Sequence, residues 1–220
     1  MRLCEALQIE RGVTAIIGAG GKTTLLLALA RELRREGTVI VCTSTHILPP
    51  PLPLVTKAEE IASSVQKYGA VCVGTPAEDG KLTAPPVSFG ALAASADFVP
   101  VEADGAHGLP LKAHASHEPV IPPGAKQTVL VAGLSAIGKP IRQVVHRPEI
   151  FCEITGSEPD ALLSPQLAAK LIRSEALHTR VFLNQADGEA HKASGRQLAA
   201  LLDCPVCMGA LERGYFECLF

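Results

Sequence analysis

Gly18, Ala19, Gly20, Gly21, Lys22, Thr23 and Thr24 form a run whose residue types suit the capture of a phosphate chain. Glycines let several backbone N–H groups converge on one anion without interference from Cβ atoms. A lysine at the end of such a turn reaches the β- and γ-phosphates, and a threonine hydroxyl after it ligates Mg²⁺. The usual phosphate loop is Gly, four residues, then Gly-Lys-Ser/Thr; here Ile16 stands in the place of the first glycine. The context is nevertheless complete. The apolar run "VTAII" (13–17) reads as a buried strand, and leucines and alanines at helical spacing over 22–36 read as a helix that Gly37 ends. That helix would turn its positive N-terminal end toward the same anion. Tight packing alone gives no reason for a lysine there. The loop therefore points to ATP or GTP with Mg²⁺.

A phosphate loop also needs acidic partners, and "FVPVEADG" supplies two as an apolar strand ends. Glu102 and Asp104 are two apart, so in a continuing strand they face the same side. One carboxylate would hold Mg²⁺ directly or through water, and the other would position a nucleophile. Asp104, just before Gly105, is favoured as the metal ligand together with Thr23, while Lys22 and Glu102 complete the catalytic set. The short spacing of Gly18 through Thr23 resembles the ATP loop of the Mur ligases, which activate a carboxylate as an acyl phosphate. "VFLNQAD" resembles the guanine-reading Asn-Lys-x-Asp of GTPases, with Gln185 in place of the lysine. Asp187 would accept hydrogen bonds from a guanine, and Asn184 would brace the loop. Adenine and guanine both stay open.

"GLSAIGKP" (133–140) also fits Gly-x₄-Gly-Lys, but Pro140 replaces the metal-binding hydroxyl residue and has no N–H to offer. It is not a second nucleotide site. Lys139, Arg142, His146 and Arg147 instead make a basic segment that, with Lys112, would grip a second, anionic small-molecule or cofactor substrate; a solvated basic face is the other reading. The stretch "EADGAHGLPLKAHASHEPVIP" is rich in Gly, Pro, His and Lys without apolar periodicity, as long binding loops are. Its histidines lack the i, i+4 spacing of a helical zinc motif, and Pro110 and Pro119 oppose a helix, so substrate binding is preferred to zinc.

The 220 residues suffice for one α/β domain, and the core must be built from Ala, Val, Leu and Ile, since aromatics are only 4%. A net charge of −2 argues against bulk attraction to nucleic acid or anionic membrane. No apolar run reaches the roughly 20 residues of a membrane span. "MRLCEALQIERG" is charged where a signal peptide is apolar, so a cytoplasmic chain is expected. Seven scattered cysteines do not form a disulfide framework. Cys204 and Cys207 make a lone C-x-x-C, which is either redox chemistry or simply a strand, "CPVCMG", whose sulfurs pack.

Further strands are expected at 38–45, 70–74, 96–105, 127–134 and 179–187, with a hairpin within 75–87 and helices near 57–67, 165–174 and 189–202. Strands separated by helices imply crossovers and a mostly parallel sheet covered on both faces. The fold class is α/β, a P-loop NTPase-like three-layer arrangement in one domain, with 135–175 as a helical insertion. Ligands in such folds gather at the carboxyl ends of strands.

In order along the chain, "GAGGKTT", "VEADGAHGLPLKA", "HEPVIP", "GLSAIGKP" with "VHRPEI", and "FLNQAD" resemble the YqeC family. That resemblance implies an accessory role in maturing selenium-dependent molybdenum hydroxylases, with a molybdenum hydroxylase as partner. It assigns no catalytic role to His107, where other members often carry a small polar residue. The readings that follow are a nucleotide-using maturation enzyme, a nucleotide-gated carrier that delivers cofactor to an apo-hydroxylase, and a Mur-like ligase.

Overall fold

A computed structural model describes residues 1–219. After the single turn α1 (Leu3–Ala6), β1 (Gly12–Gly18) leads through the glycine loop into α2 (Lys22–Leu33). There follow β2 (Val39–Thr43), β3 (Leu54–Val55), α3 (Ile61–Tyr68), β4 (Ala70–Val73), the hairpin β5 (Thr75–Pro76) and β6 (Leu82–Thr83), α4 (Phe89–Ser95) and β7 (Phe98–Glu102). Past β8 (Leu111–Lys112) come β9 (Gln127–Gly133), α5 (Ile141–Val144), β10 (Val145–His146), α6 (Pro148–Thr155) and α7 (Pro165–Glu175). The chain ends with β11 (Arg180–Asn184), α8 (Glu189–Ala199), β12 (Val206–Ala210) and β13 (Tyr215–Leu219).

These elements divide into two compact units. The first comprises Met1–Ile17, Thr23–Gly105 and Val120–Thr128; the second comprises Gly18–Lys22, Ala106–Pro119 and the chain from Val129 on.

In the first unit the strand order is β1-β7-β2-β4-β3, and all these pairings are parallel. Parallel strands need crossovers, and helices α3 and α4 provide them on one face. There Ile61, Val65 and Leu92 pack with Ile40, Cys42, Val71, Val73, Val99 and Val101. The alternate residues of β2, Val39 and Val41, point to the other face and are also fully buried. The sheet is therefore covered on both sides, which is why "VIVCT" is a continuous apolar run rather than an alternating one. Cys42 is part of the α3/α4 packing and Cys72 packs with Ile47 and Leu82, and burial pushes both thiols up, Cys72 to about 12.

The second unit carries the order β13-β12-β11-β9, parallel except for the antiparallel pair β12·β13. Beside these, β8 and β10 form a two-stranded parallel ribbon. The fold is thus α/β with mostly parallel sheets. Residues 135–175 are largely helical, through α5, α6 and α7, but they also supply strand β10.

Candidate functional site

The glycine loop belongs to the second unit, and its shape follows from residues only glycine can serve. Gly18 has φ +90 and Gly20 φ +85, the left-handed region that L side chains avoid. A Cβ on Gly18 would collide with the Val131 carbonyl, and one on Gly20 would lie 2.5 Å from Gly133 N and 2.8 Å from Pro110 O. The Ala19 N–H donates to Val131 O at 2.9 Å, anchoring the loop to β9. Lys22 is only 5% exposed, and its Nζ donates to Gly18 O at 2.8 Å. Its ammonium is held inside the ring of the loop instead of extending into solvent.

Asn184, the last residue of β11, closes this arrangement from the other side. Its Nδ2 donates to Gly20 O at 2.8 Å, and its Oδ1 accepts from the Leu211 N–H at 3.3 Å. Gln185 does not lie open for a base: it adopts φ +63, and its Oε1 accepts from Ser135 Oγ at 2.5 Å. Asp187 forms an ion pair with Arg213 Nε at 2.9 Å, both side chains being substantially exposed.

The basic residues separate into two groups. Lys112 and His146 are register partners in the β8·β10 ribbon. Lys112 Nζ lies 2.6 Å from Glu118 Oε2, and Arg147 Nη1 lies 2.5 Å from the same oxygen. Burial raises the Glu118 carboxyl, but hydrogen bonds from Arg147 and Lys112 outweigh it and hold the group at about 2. The His146 ring stands 4.9 Å from that of His107, and burial with the charges of Arg147 and Lys112 lowers its basicity. Lys139 and Arg142, by contrast, are exposed, and Arg142 pairs with Asp160 at 2.9 Å. Within the run 139–147, Arg142 therefore pairs with a different carboxylate from Arg147. The Lys112 segment starts beside the loop: Pro110 O, two residues earlier, accepts from Gly133 N at 2.7 Å and abuts Gly20.

The carboxylates belong to the first unit. Glu102 ends β7, in register with Ile16 of β1 and Thr43 of β2, and is 8% exposed. The Thr23 hydroxyl donates to Glu102 Oε2 at 2.8 Å. The Glu102 carbonyl accepts from Thr43 Oγ1 at 2.8 Å and Ser44 N at 3.1 Å, which fixes the strand end. Asp104 is fully buried but lies past the strand. The alternation that would put Asp104 and Glu102 on one side stops at Glu102, and it is Glu102 that meets Thr23. Thr24, next on α2, is half-buried.

Glu118 and Arg213 are partners that spacing could not reveal. The signal for Glu118 was its place in the His/Lys-rich loop; Arg213 had none, being an exposed residue after β12.

The family model described as YqeC protein matches residues 14–149. The "Uncharacterized protein YqeC" of Escherichia coli (strain K12) is 34% identical over 172 residues, 73% of this chain and 67% of that one. The chain belongs to the YqeC family. The matched span holds the glycine loop, both carboxylates and the Lys112–Glu118–Arg147 cluster; Asn184 and Asp187 lie beyond the family model's limit. Among solved structures, this YqeC chain is similar to the 54 kDa signal recognition particle protein of Aeropyrum pernix K1 in complex with GDP. The identity is 16% and the TM-score 0.43, over 96% of this chain and 44% of that one, so the YqeC chain spans under half its length.

Proposed function

We propose that this YqeC protein binds a nucleoside triphosphate with Mg²⁺ on the Gly18–Thr24 loop and uses it in cofactor maturation. The observation that carries this reading is the buried Lys22 ammonium folded onto Gly18 O, within a loop whose glycines hold left-handed conformations. A packing turn has no use for such a lysine; a phosphate chain arriving at the loop replaces the carbonyl as its partner. The donor set fits the metal as well. A threonine hydroxyl and a carboxylate already in contact, Thr23 and Glu102, are the hard oxygen ligands Mg²⁺ prefers. Thr23 would hold the ion and Glu102 would hold it directly or through water, with Asp104 as a further acidic group close by in the chain. Bound Mg²⁺ would neutralise phosphate charge and favour attack at the terminal phosphorus.

A second anionic substrate would take the Lys112–Arg147 pair by displacing the Glu118 carboxylate that now spans them, with the weakly basic His146 ring beside it. The sequence resemblance supports placing the reaction in the assembly of selenium-dependent molybdenum hydroxylases. ATP and GTP serve comparably, because Gln185 and Asp187 are both engaged by other side chains. Phosphate release from ATP and GTP, measured with and without Mg²⁺ and with and without an apo-hydroxylase, tests the assignment. Mg²⁺-dependent turnover by the protein alone identifies an enzyme, and turnover only with the partner identifies a carrier. A nucleotide that neither binds nor turns over under any of these conditions rejects both.

A further inference from the structure

The C-x-x-C spacing draws attention to Cys204 and Cys207, but the structure aims Cys207 elsewhere. In the antiparallel pair β12·β13, Cys207 lies directly opposite Cys218, with the two Sγ atoms 3.5 Å apart. Cys204 sits in the bend before β12. Residues directly opposed on antiparallel strands have Cα atoms roughly 4.5–5.5 Å apart. That lies inside the roughly 4.4–6.8 Å a disulfide spans, so side-chain rotation alone can close the bond. Access differs between the two: Cys207 is 1% exposed, whereas Cys218 is half-buried on the edge strand.

We propose that Cys207 and Cys218 are a reversible cross-strand disulfide site that locks the C-terminal hairpin bracing the glycine loop. The oxidant is a low-molecular-weight disulfide. The Cys218 thiolate attacks one of its sulfurs, forming a mixed disulfide and releasing one small thiol. Cys207, after losing its proton to solvent, attacks Cys218 Sγ and expels the second small thiol. Two protein thiols and one small disulfide thus become one protein disulfide and two small thiols. Burial pushes the Cys207 thiol up, which slows the closing step. Excess thiol reverses the exchange through the same exposed edge.

Asn184 ties the hairpin that would be locked to the loop. Just past the Ala210–Tyr215 rung, Leu211 N donates to Asn184 Oδ1, Arg213 pairs with Asp187, and Asn184 Nδ2 holds Gly20 O. A lock at Cys207–Cys218 limits the opening of this hairpin and hence of the brace. The regulatory meaning rests on the nucleotide reading, while the disulfide itself does not.

The full chain is equilibrated across a series of glutathione disulfide to glutathione ratios, quenched by alkylation, and analysed by intact mass and peptide mapping. The expected product has lost the mass of two hydrogens and links Cys207 to Cys218. It forms equally in Cys204→Ser, while Cys207→Ser stops at a glutathione adduct on Cys218. A Cys204–Cys207 link, or full alkylation of Cys207 and Cys218 at the most oxidising ratio, overturns the proposal. Hydrogen exchange then reads the coupling without any nucleotide. Oxidation should slow exchange at least about threefold in 206–219 and in the 18–24 loop. An unchanged loop in an oxidised hairpin overturns the coupling.

Discussion

Asn184 and Gly20, 164 positions apart, are joined by a 2.8 Å hydrogen bond from the amide Nδ2 to the loop carbonyl. The same side chain accepts from Leu211 N, so one residue fixes the glycine loop to the start of the C-terminal hairpin. Asn184→Asp removes the donor and sets a carboxylate against a carbonyl. The expected outcome is a loss of about 1–3 kcal/mol in stability, the cost of leaving a buried group unsatisfied. Nucleotide affinity falls at least about tenfold as the loop loosens. Urea unfolding and nucleotide titration of the variant measure the two effects.

Thr23 and Glu102 should act as a pair. Thr23→Ala and Glu102→Gln each weaken Mg²⁺-dependent turnover far more than metal-free nucleotide binding. Because they touch, the double variant should lose little beyond the worse single one. Asp104→Asn separates the two acids: with Glu102 in contact with Thr23, the Asp104 substitution should shift the Mg²⁺ dependence less than Glu102→Gln. A Mg²⁺ titration of all four proteins checks this ordering, and the reverse order returns the metal to Asp104.

Base choice should be weak. Asp187 is occupied by Arg213, but the pair is exposed, and such pairs are worth about 0–1 kcal/mol. Arg213→Ala should therefore improve GTP affinity by no more than about fivefold and leave ATP unchanged. A guanine-reading site with satisfied buried hydrogen bonds would reject adenine by orders of magnitude. Competition of ATP and GTP for one labelled analogue distinguishes these cases.

Glu118 carries a pH signature. Its folded carboxyl titrates at about 2, below the ordinary 4.5, so the stability it contributes is fully present above pH 4.5. That contribution fades as pH falls through the folded value. Discounted for solvent screening at this partly exposed site, the gap corresponds to roughly 1–3 kcal/mol. Stability of the wild type should fall between pH 5 and pH 2 by about that much more than that of Glu118→Gln, as measured by urea unfolding across the range. Parallel curves would show that the Lys112–Glu118–Arg147 contacts do not set the titration.

Much of the fold could be read from the chain because buried parallel strands are unbroken apolar runs. "VTAII" and "VFLN" lie within strands, "TVIVCTST" holds β2, and the helix opened by Lys22 formed but ends at Leu33, short of the 36 that its leucine and alanine spacing suggested. Strand β13 escaped because "YFECL" is a half-buried edge whose partner, not its pattern, makes it a strand. The short helix α4 escaped for lack of length. Within the site, residue types announced the loop, whereas its ties depend on contacts distant in sequence: Asn184 to Gly20, Arg213 to Asp187, Arg147 to Glu118. The expectation that Glu102 and Asp104 face one side assumed a strand that continued, and β7 stops at Glu102.

Calorimetric titration of ATP and GTP, with Mg²⁺, into the wild type and Lys22→Ala tests the nucleotide reading most directly. Removing a charge-assisted contact to phosphate costs about 1.5–3 kcal/mol, roughly tenfold to a hundredfold in affinity. The wild type should bind both nucleotides, and a folded Lys22→Ala protein, its circular dichroism unchanged, should lose at least tenfold for each. Equal affinity in the two proteins, or no binding by the wild type, would overturn the nucleotide reading.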